Sequence, residues 1–273
     1  MKTESRTPLH RIDQLLPLEF ESLLDSGDDL AIIPIGSIEQ HGPHLVTGCD
    51  GYITLAKAVE VARLTGGVLF PMVNFSWAGA TNTFSGGIGV REETFIDYVQ
   101  AVVRAVRRAG FRRILVMNCH GGNFYAMRAF PQKCLREDGI VVMTSYGTAG
   151  CEEATRSREA GAGEMTWLLG ALRILGREDL IGDILEYNRK AVQEFGDHPT
   201  VRHQPDCFRE ARKLGVVGCD YFGEPLHVQP DSRQTDPDAG VTLIRAVAKH
   251  IAAHLPALSD HVNATEPPGT MHE

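Results

Sequence analysis

Six residues combine a side chain able to hold a cation or move a proton with a place where a chain presents it: Glu39, His41, Asp50, His120, Glu159 and Glu164. Glu39 and His41 fall in Ser37-Ile38-Glu39-Gln40-His41-Gly42-Pro43-His44. They are two apart, so extended backbone sends both side chains the same way. His120 lies in Asn118-Cys119-His120-Gly121-Gly122-Asn123, and Glu159 and Glu164 flank Ala160-Gly161-Ala162-Gly163. Imidazole and carboxylate in glycine-rich surroundings form the donor set that zinc, manganese or iron(II) takes. Each residue alone has a plainer use. Glu39 and His41 suit a polar loop, Asp50 a helix cap, His120 a hydrogen-bonded ring, and Glu164 the start of a helix. Their joint arrival after successive strands is what favours a metal site.

The elements that must position them follow from periodicity. A short helix is expected over Pro17 to Ser26, with proline at a starting position and Gly27 as its stop. The apolar run Leu30 to Gly36 reads as a strand buried on both faces, with Pro34 placing an edge or a bulge near its end. Then come a helix from Tyr52 to Leu64, a strand from Val68 to Val73, a glycine-rich loop over Asn74–Val90 and a strongly amphipathic helix from Arg91 to Ala109. Arg113 to Asn118 is a second buried strand, followed by a helix from Gly121 to Glu137 and a strand from Ile140 to Ser145. This alternation predicts βαβ units, hence an α/β fold with a mostly parallel sheet and helices on both faces. Ligands of such sheets bind beyond the carboxyl ends of the strands, where the six residues cluster in sequence. Further helices are expected over Thr166 to Leu175, Asp183 to Glu194 and Asp238 to His254. Asp197 to Asp238 reads as a long surface excursion, with His198, His203 and His227 in solvated or interface roles. One domain is expected over residues 1–258, with a disordered tail over 259–273.

Composition narrows the function. The chain has 273 residues, 43% hydrophobic and 23% charged, which is ordinary globular usage. A net charge of −8 removes the electrostatic footprint of a nucleic-acid binder. No apolar run reaches the ~20 residues of a membrane span. The N-terminal segment has no apolar stretch ahead of its first charges, so a cytoplasmic location is expected. Six scattered cysteines without a CxxC pair read as buried or incidental thiols. Cys119, next to His120, is expected to pack beneath that ring, and His44 to line the mouth of the pocket.

The segments Gly36-Ser37-Ile38-Glu39-Gln40-His41-Gly42-Pro43-His44-Leu45, Phe84-Ser85-Gly86-Gly87 and Gly110 to Asn123, together with Asp50, resemble the creatininase (creatinine amidohydrolase) family over about Leu30 to Leu172. The resemblance implies a three-layer α/β sandwich holding two divalent metal ions (Zn, Mn or Fe), commonly as a homohexamer. It implies that Glu39, Asp50 and His120 hold one ion and that His41 and Asp50 hold the second, with Glu164 completing that shell. Two such ions lower the pKa of a water from ~15.7 toward ~7 and polarise a carbonyl, so hydrolysis of a C–N amide bond in a small molecule is implied. Backbone N–H groups near Gly121-Gly122 would face the developing oxyanion. The chain departs from the family pattern on the substrate side. Gly122 stands where creatininase has a glutamate ligand, Cys119 where glycine is usual, and Ala80-Thr81 where a glutamate–histidine pair is usual. Glu159 stands where the proton-shuttling histidine is expected, and it serves as the acid if burial raises its pKa. Two other readings remain: opening of a cyclic diketone by C–C hydrolysis, and a metal-binding subunit without catalysis.

Overall fold

The strand Leu30–Ile35 (β1) is buried along its whole length, and its side chains alternate between two cores as a period of two requires. Leu30 and Ile32 join one core; Ala31, Ile33 and Ile35 join the other. The strand Arg113–Asn118 (β3) does the same, with Leu115 and Met117 on the first face and Ile114 and Val116 on the second. A continuous apolar run with both faces covered is the signature of a parallel sheet. The computed structural model, which describes residues 8–41, 45–78, 86–159, 163–195 and 236–265, contains that sheet. The strand Val68–Leu69 (β2) lies outside β1, and Val142–Tyr146 (β4) lies beyond β3, giving the order β2-β1-β3-β4 with every pairing parallel.

Nine α-helices are described, with a short 3-10 turn at Ile12–Gln14 ahead of them. Pro17–Asp25 (α1), Cys49–Thr65 (α2), Glu92–Arg108 (α3), Gly121–Met127 (α4) and Phe130–Asp138 (α5) precede β4. Glu152–Glu159 (α6), Glu164–Ile174 (α7), Glu178–Phe195 (α8) and Pro237–Thr265 (α9) follow it. The first core holds α2, α7 and α9; the second holds α3 and α5, with Phe20, Leu23 and Leu24 of α1 packed against it. The result is the expected α/β sandwich with helices on both faces. From β1 the chain enters α2 on the first face. From β3 it enters α4 and α5, and α5 lies on the second. The connections leaving adjacent strands thus diverge, and a crevice opens beyond the carboxyl ends of β1 and β3, where such sheets bind ligands.

Several boundaries differ from the sequence expectation, each for a local reason. β1 is interior rather than an edge. The Pro34 carbonyl accepts from Val73 N–H on the β2 side. Its ring nitrogen faces the same way, where β2 has already ended at Leu69, so the missing donor interrupts no ladder. β2 stops short of Val73 because Pro71 follows within two residues; Val73 returns only as a single bridge to Ile35. The helix expected over Gly121–Glu137 is broken into α4 and α5. Pro131 cannot donate to the carbonyl four residues back, and its ring would meet that carbonyl in a continuous helix. α7 and α8 begin earlier than expected, at Glu164 and Glu178. α9 continues past Ser259 to Thr265, because the buried stripe goes on at Leu255 and Val262, seven residues apart. Most of the expected surface excursion and residues 266–273 lie outside the described residues. No helix among the described residues is long and apolar enough to cross a membrane.

Candidate metal centre

The end of β1 is built to accept the first turn of α2. A Cβ on Gly36 would stand 2.6 Å from the Gly51 Cα, so two facing glycines let strand and helix touch through their backbones. That contact places Asp50 against the segment after β1, where the buried Ser37 hydroxyl donates to Asp50 Oδ2 at 2.8 Å. Asp50 therefore does not cap its helix. The N-cap is Gly48, without a side-chain cap bond. Beyond β3, Asn118 fixes the next segment at both ends: its Nδ2 donates to the His120 carbonyl at 2.8 Å and its Oδ1 accepts from His120 N–H at 3.1 Å. The Asn123 amide donates to the Gly36 carbonyl at 3.1 Å, tying the end of β3 to the end of β1.

These supports bring five of the six sequence-nominated residues together. His120 Nδ1 lies 3.0 Å from both Glu39 Oε1 and Asp50 Oδ2. His41 Nε2 lies 3.4 Å from Glu39 Oε1, 3.6 Å from Asp50 Oδ2 and 3.9 Å from Glu164 Oε2. One donor atom from each of Glu39, Asp50 and His120 falls within 4.8 Å of the others, and the same holds for His41, Asp50 and Glu164. Asp50 is common to both groups. Glu39, His41, Asp50 and His120 are buried; Glu164, opening α7, is half-buried. Glu159 ends α6, and its side chain is outside what the structure describes, as are His44, Ala80-Thr81 and Phe84-Ser85. Cys119 packs against the first core.

The unused ring nitrogens complete the geometry. His120 Nε2 stands 3.2 Å from the Trp77 carbonyl, and His41 Nδ1 stands 3.2 Å from the Glu39 carbonyl. A ring N–H donated outward to a carbonyl leaves the inward nitrogen as the free lone pair, the arrangement that orients histidine toward a metal. The Trp77 carbonyl has no side-chain signature and was invisible in the sequence. The Ser37 hydroxyl lies in the segment that carries Glu39 and His41, but nothing in its spacing reveals its bond to Asp50. With His120 placed this way, a Cβ on Gly122 would run into its Nε2.

The electrostatics report a deficit of positive charge. Burial works to strip the proton from His41, but Asp50, Glu164 and Glu39 outweigh it and push the imidazole up to about 10. Burial opposes the proton on His120 too, and Asp50 and Glu39 again raise it to about 10. Burial also acts to raise Asp50, yet the two imidazoles hold it well below the usual carboxylate range. Protons on two histidines thus stand in for cations among three gathered carboxylates. A divalent cation fits this donor set: hard oxygen ligands, two neutral imidazoles once deprotonated, and a carboxylate available for sharing.

A parallel α/β sheet with acidic and imidazole groups converging at its switch point defines a protein with a candidate divalent-metal centre at the carboxyl edge of the sheet. Residues 14–174 match the Creatininase family model, described as creatinine amidohydrolase, and the chain belongs to that family. It is 35% identical over 143 residues to 3-dehydro-scyllo-inosose hydrolase of Thermotoga maritima, covering 51% of this chain and 46% of that protein. It is 29% identical over 147 residues to creatinine amidohydrolase of Pseudomonas putida, covering 50% and 56%. The chain thus spans about half the length of the curated relatives it matches. The fold extends further: a crystal structure of creatinine amidohydrolase superimposes with TM-score 0.68 at 21% identity, over 96% of this chain and 100% of that one. One described as "Creatininase Mn" gives 0.67 at 20% identity over 96% and 100%.

Proposed function

We propose that the protein is a metal-dependent hydrolase cleaving a C–N amide bond (in a cyclic amide, a formamide or a small peptide-like compound) at a dinuclear centre. The observation that carries this reading is the position of Asp50, whose Oδ2 lies within reach of both His120 and His41 and so suits a carboxylate shared between two ions. In this reading Glu39, Asp50 and His120 hold one zinc, manganese or iron ion, and His41, Asp50 and Glu164 hold the other. Bound divalent cations would supply Lewis acidity and a nucleophilic water near neutral pH. The chain's own groups do the rest. Ser37 and the Trp77 and Glu39 carbonyls keep Asp50 and both rings aimed inward. Glu159, a few residues before Glu164, is the proposed acid that delivers a proton to the leaving nitrogen. We further propose a cytoplasmic location and a homohexamer; exposed apolar side chains such as Phe75, Ile88 and Tyr125 support association of subunits. Sedimentation would test it.

Glu39→Gln and His120→Ala are expected to abolish turnover while the circular dichroism spectrum stays native; unchanged turnover in both removes the assignment. The substrate class is tested by metal analysis of protein purified without added metal, then assay against lactams, formamides, short peptides and cyclic diketones at neutral pH. Turnover confined to diketones selects C–C hydrolysis, the alternative reading; the Thermotoga relative is named for hydrolysis of an inosose. Two equivalents of metal with no turnover across the panel select the non-catalytic metal-binding reading.

A further inference from the structure

Beneath the metal centre lies a pair of nucleophiles that the proposed hydrolysis does not use. Lys57, about two helix turns past Asp50 on α2, is buried among core residues. Its Nζ stands 3.3 Å from Cys119 Sγ and 3.0 Å from the Gly147 carbonyl, and lies 4.4 Å from the centre of the Trp167 ring. An aromatic face and a carbonyl together fix an ammonium in place, so the amine is held against the thiol rather than swinging past it. No carboxylate pairs with Lys57 among the described residues. Cys119 is the only half-buried cysteine among those described; Cys49, Cys134 and Cys151 are buried. Cys119 also adjoins His120.

We infer that Lys57 and Cys119 are the two ends of an oxidative N–O–S crosslink, a reversible redox switch directly behind His120. At 3.3 Å the amine and thiol are in hydrogen-bond contact, near enough for a single bridging oxygen to join them with only a small approach. The oxidant is a hydroperoxide. A first equivalent converts the thiol to a sulfenic acid, RSH + H₂O₂ → RSOH + H₂O, the usual first rung of cysteine oxidation. A second joins the sulfenic oxygen to the lysine nitrogen as its ammonium proton passes to solvent, RSOH + R′NH₂ + H₂O₂ → RS–O–NHR′ + 2 H₂O. The S–H, O–H and one N–H bond are lost, S–O and O–N bonds form, and each peroxide is reduced to water. Four equivalents of a thiol reductant reverse both steps, restoring thiol and amine and releasing one water.

The test uses the full-length protein, treated with a small excess of hydrogen peroxide and examined by intact mass and tryptic mapping. Its readout is mass, independent of any turnover. The expected product is heavier by one oxygen and lighter by two hydrogens. It resists trypsin after residue 57, yields a peptide pair joining residues 57 and 119, and returns to the starting mass with dithiothreitol. Cys119→Ser and Lys57→Met should both lose this species. If Lys57→Met fails to fold, the joined peptides of the unsubstituted protein decide. A gain of whole oxygens on Cys119 alone overturns the inference, as does a loss of two hydrogens from a Cys49–Cys119 disulfide or a direct S–N bond.

Discussion

His41 and His120 each direct one ring nitrogen to a backbone carbonyl and the other into a nest of carboxylates, and that division of labour sets how the centre responds to pH. Both imidazoles are raised to about 10 in the folded chain, against about 6.5 when unfolded. Protonation therefore stabilises the metal-free fold. That contribution is complete below about pH 6.5 and is lost as pH climbs toward 10. Thermal melts of chelator-treated protein are expected to fall across this window, and the slope should flatten once divalent metal is added. A pH-independent melt would remove the histidines from the cluster. Metal must also displace those protons, so titration calorimetry in buffers of different ionisation enthalpy should show proton release and an affinity that rises with pH. Removing Ser37, which holds Asp50 from behind, should cost about 10–100-fold in metal affinity, the usual loss for a group that orients a ligand. Asp50→Asn should empty both halves of the centre, whereas Glu164→Gln should spare the Glu39–His120 half. Equal metal loss in the two variants would show that Asp50 is not shared.

At the scale of elements, glycines decide how near the ligand-bearing helices come. Gly170 of α7 and Gly240 of α9 meet backbone to backbone, and a Cβ on Gly240 would strike the Thr166 carbonyl. That crossing fixes the first turn of α7 and, with it, Glu164. Gly240→Ala is expected to cost about 1–3 kcal/mol, the range for overpacking a filled core, read as a lower urea midpoint. Because it displaces α7, it should weaken the His41–Glu164 half of the centre more than the Glu39–His120 half. The sequence showed why Glu39, His41 and His120 meet: each lies a few residues past an apolar run, and parallel pairing in register brings those ends together. It did not show the crossing of α7 with α9, since a glycine in a helical pattern says nothing about which helix it will touch. Pro34 pointed to an edge because the sequence does not reveal that β2, its neighbour on the donor-free side, is only two residues long. Lys57 was silent for a related reason. A lysine in an amphipathic pattern reads as solvated, and only the tertiary packing of α2 between the sheet, α7 and α9 buries it.

For the whole molecule, the centre lies where four separate parts of the chain converge: the segment after β1, the first turn of α2, the segment after β3 and the first turn of α7. None is bonded to another by a disulfide among the described cysteines. Protonated histidines hold three carboxylates together only while the pH allows it, and the pairing is between single charges. Doubly charged ions, once they displace those protons, would bind the same four parts and hold them where the protonated pairing fails, toward high pH. Binding that favours only the folded state adds RT ln(1 + [L]/Kd), about 2.7 kcal/mol at a hundredfold excess over Kd. Zinc or manganese added at that excess is therefore expected to raise the chemical-denaturation free energy by about this amount per occupied site, and a chelator should return it to the metal-free value. The gain should vanish in Asp50→Asn and shrink in Glu164→Gln. An equal gain in Asp50→Asn would mean that the cation binds elsewhere and that the four segments are held together by packing alone.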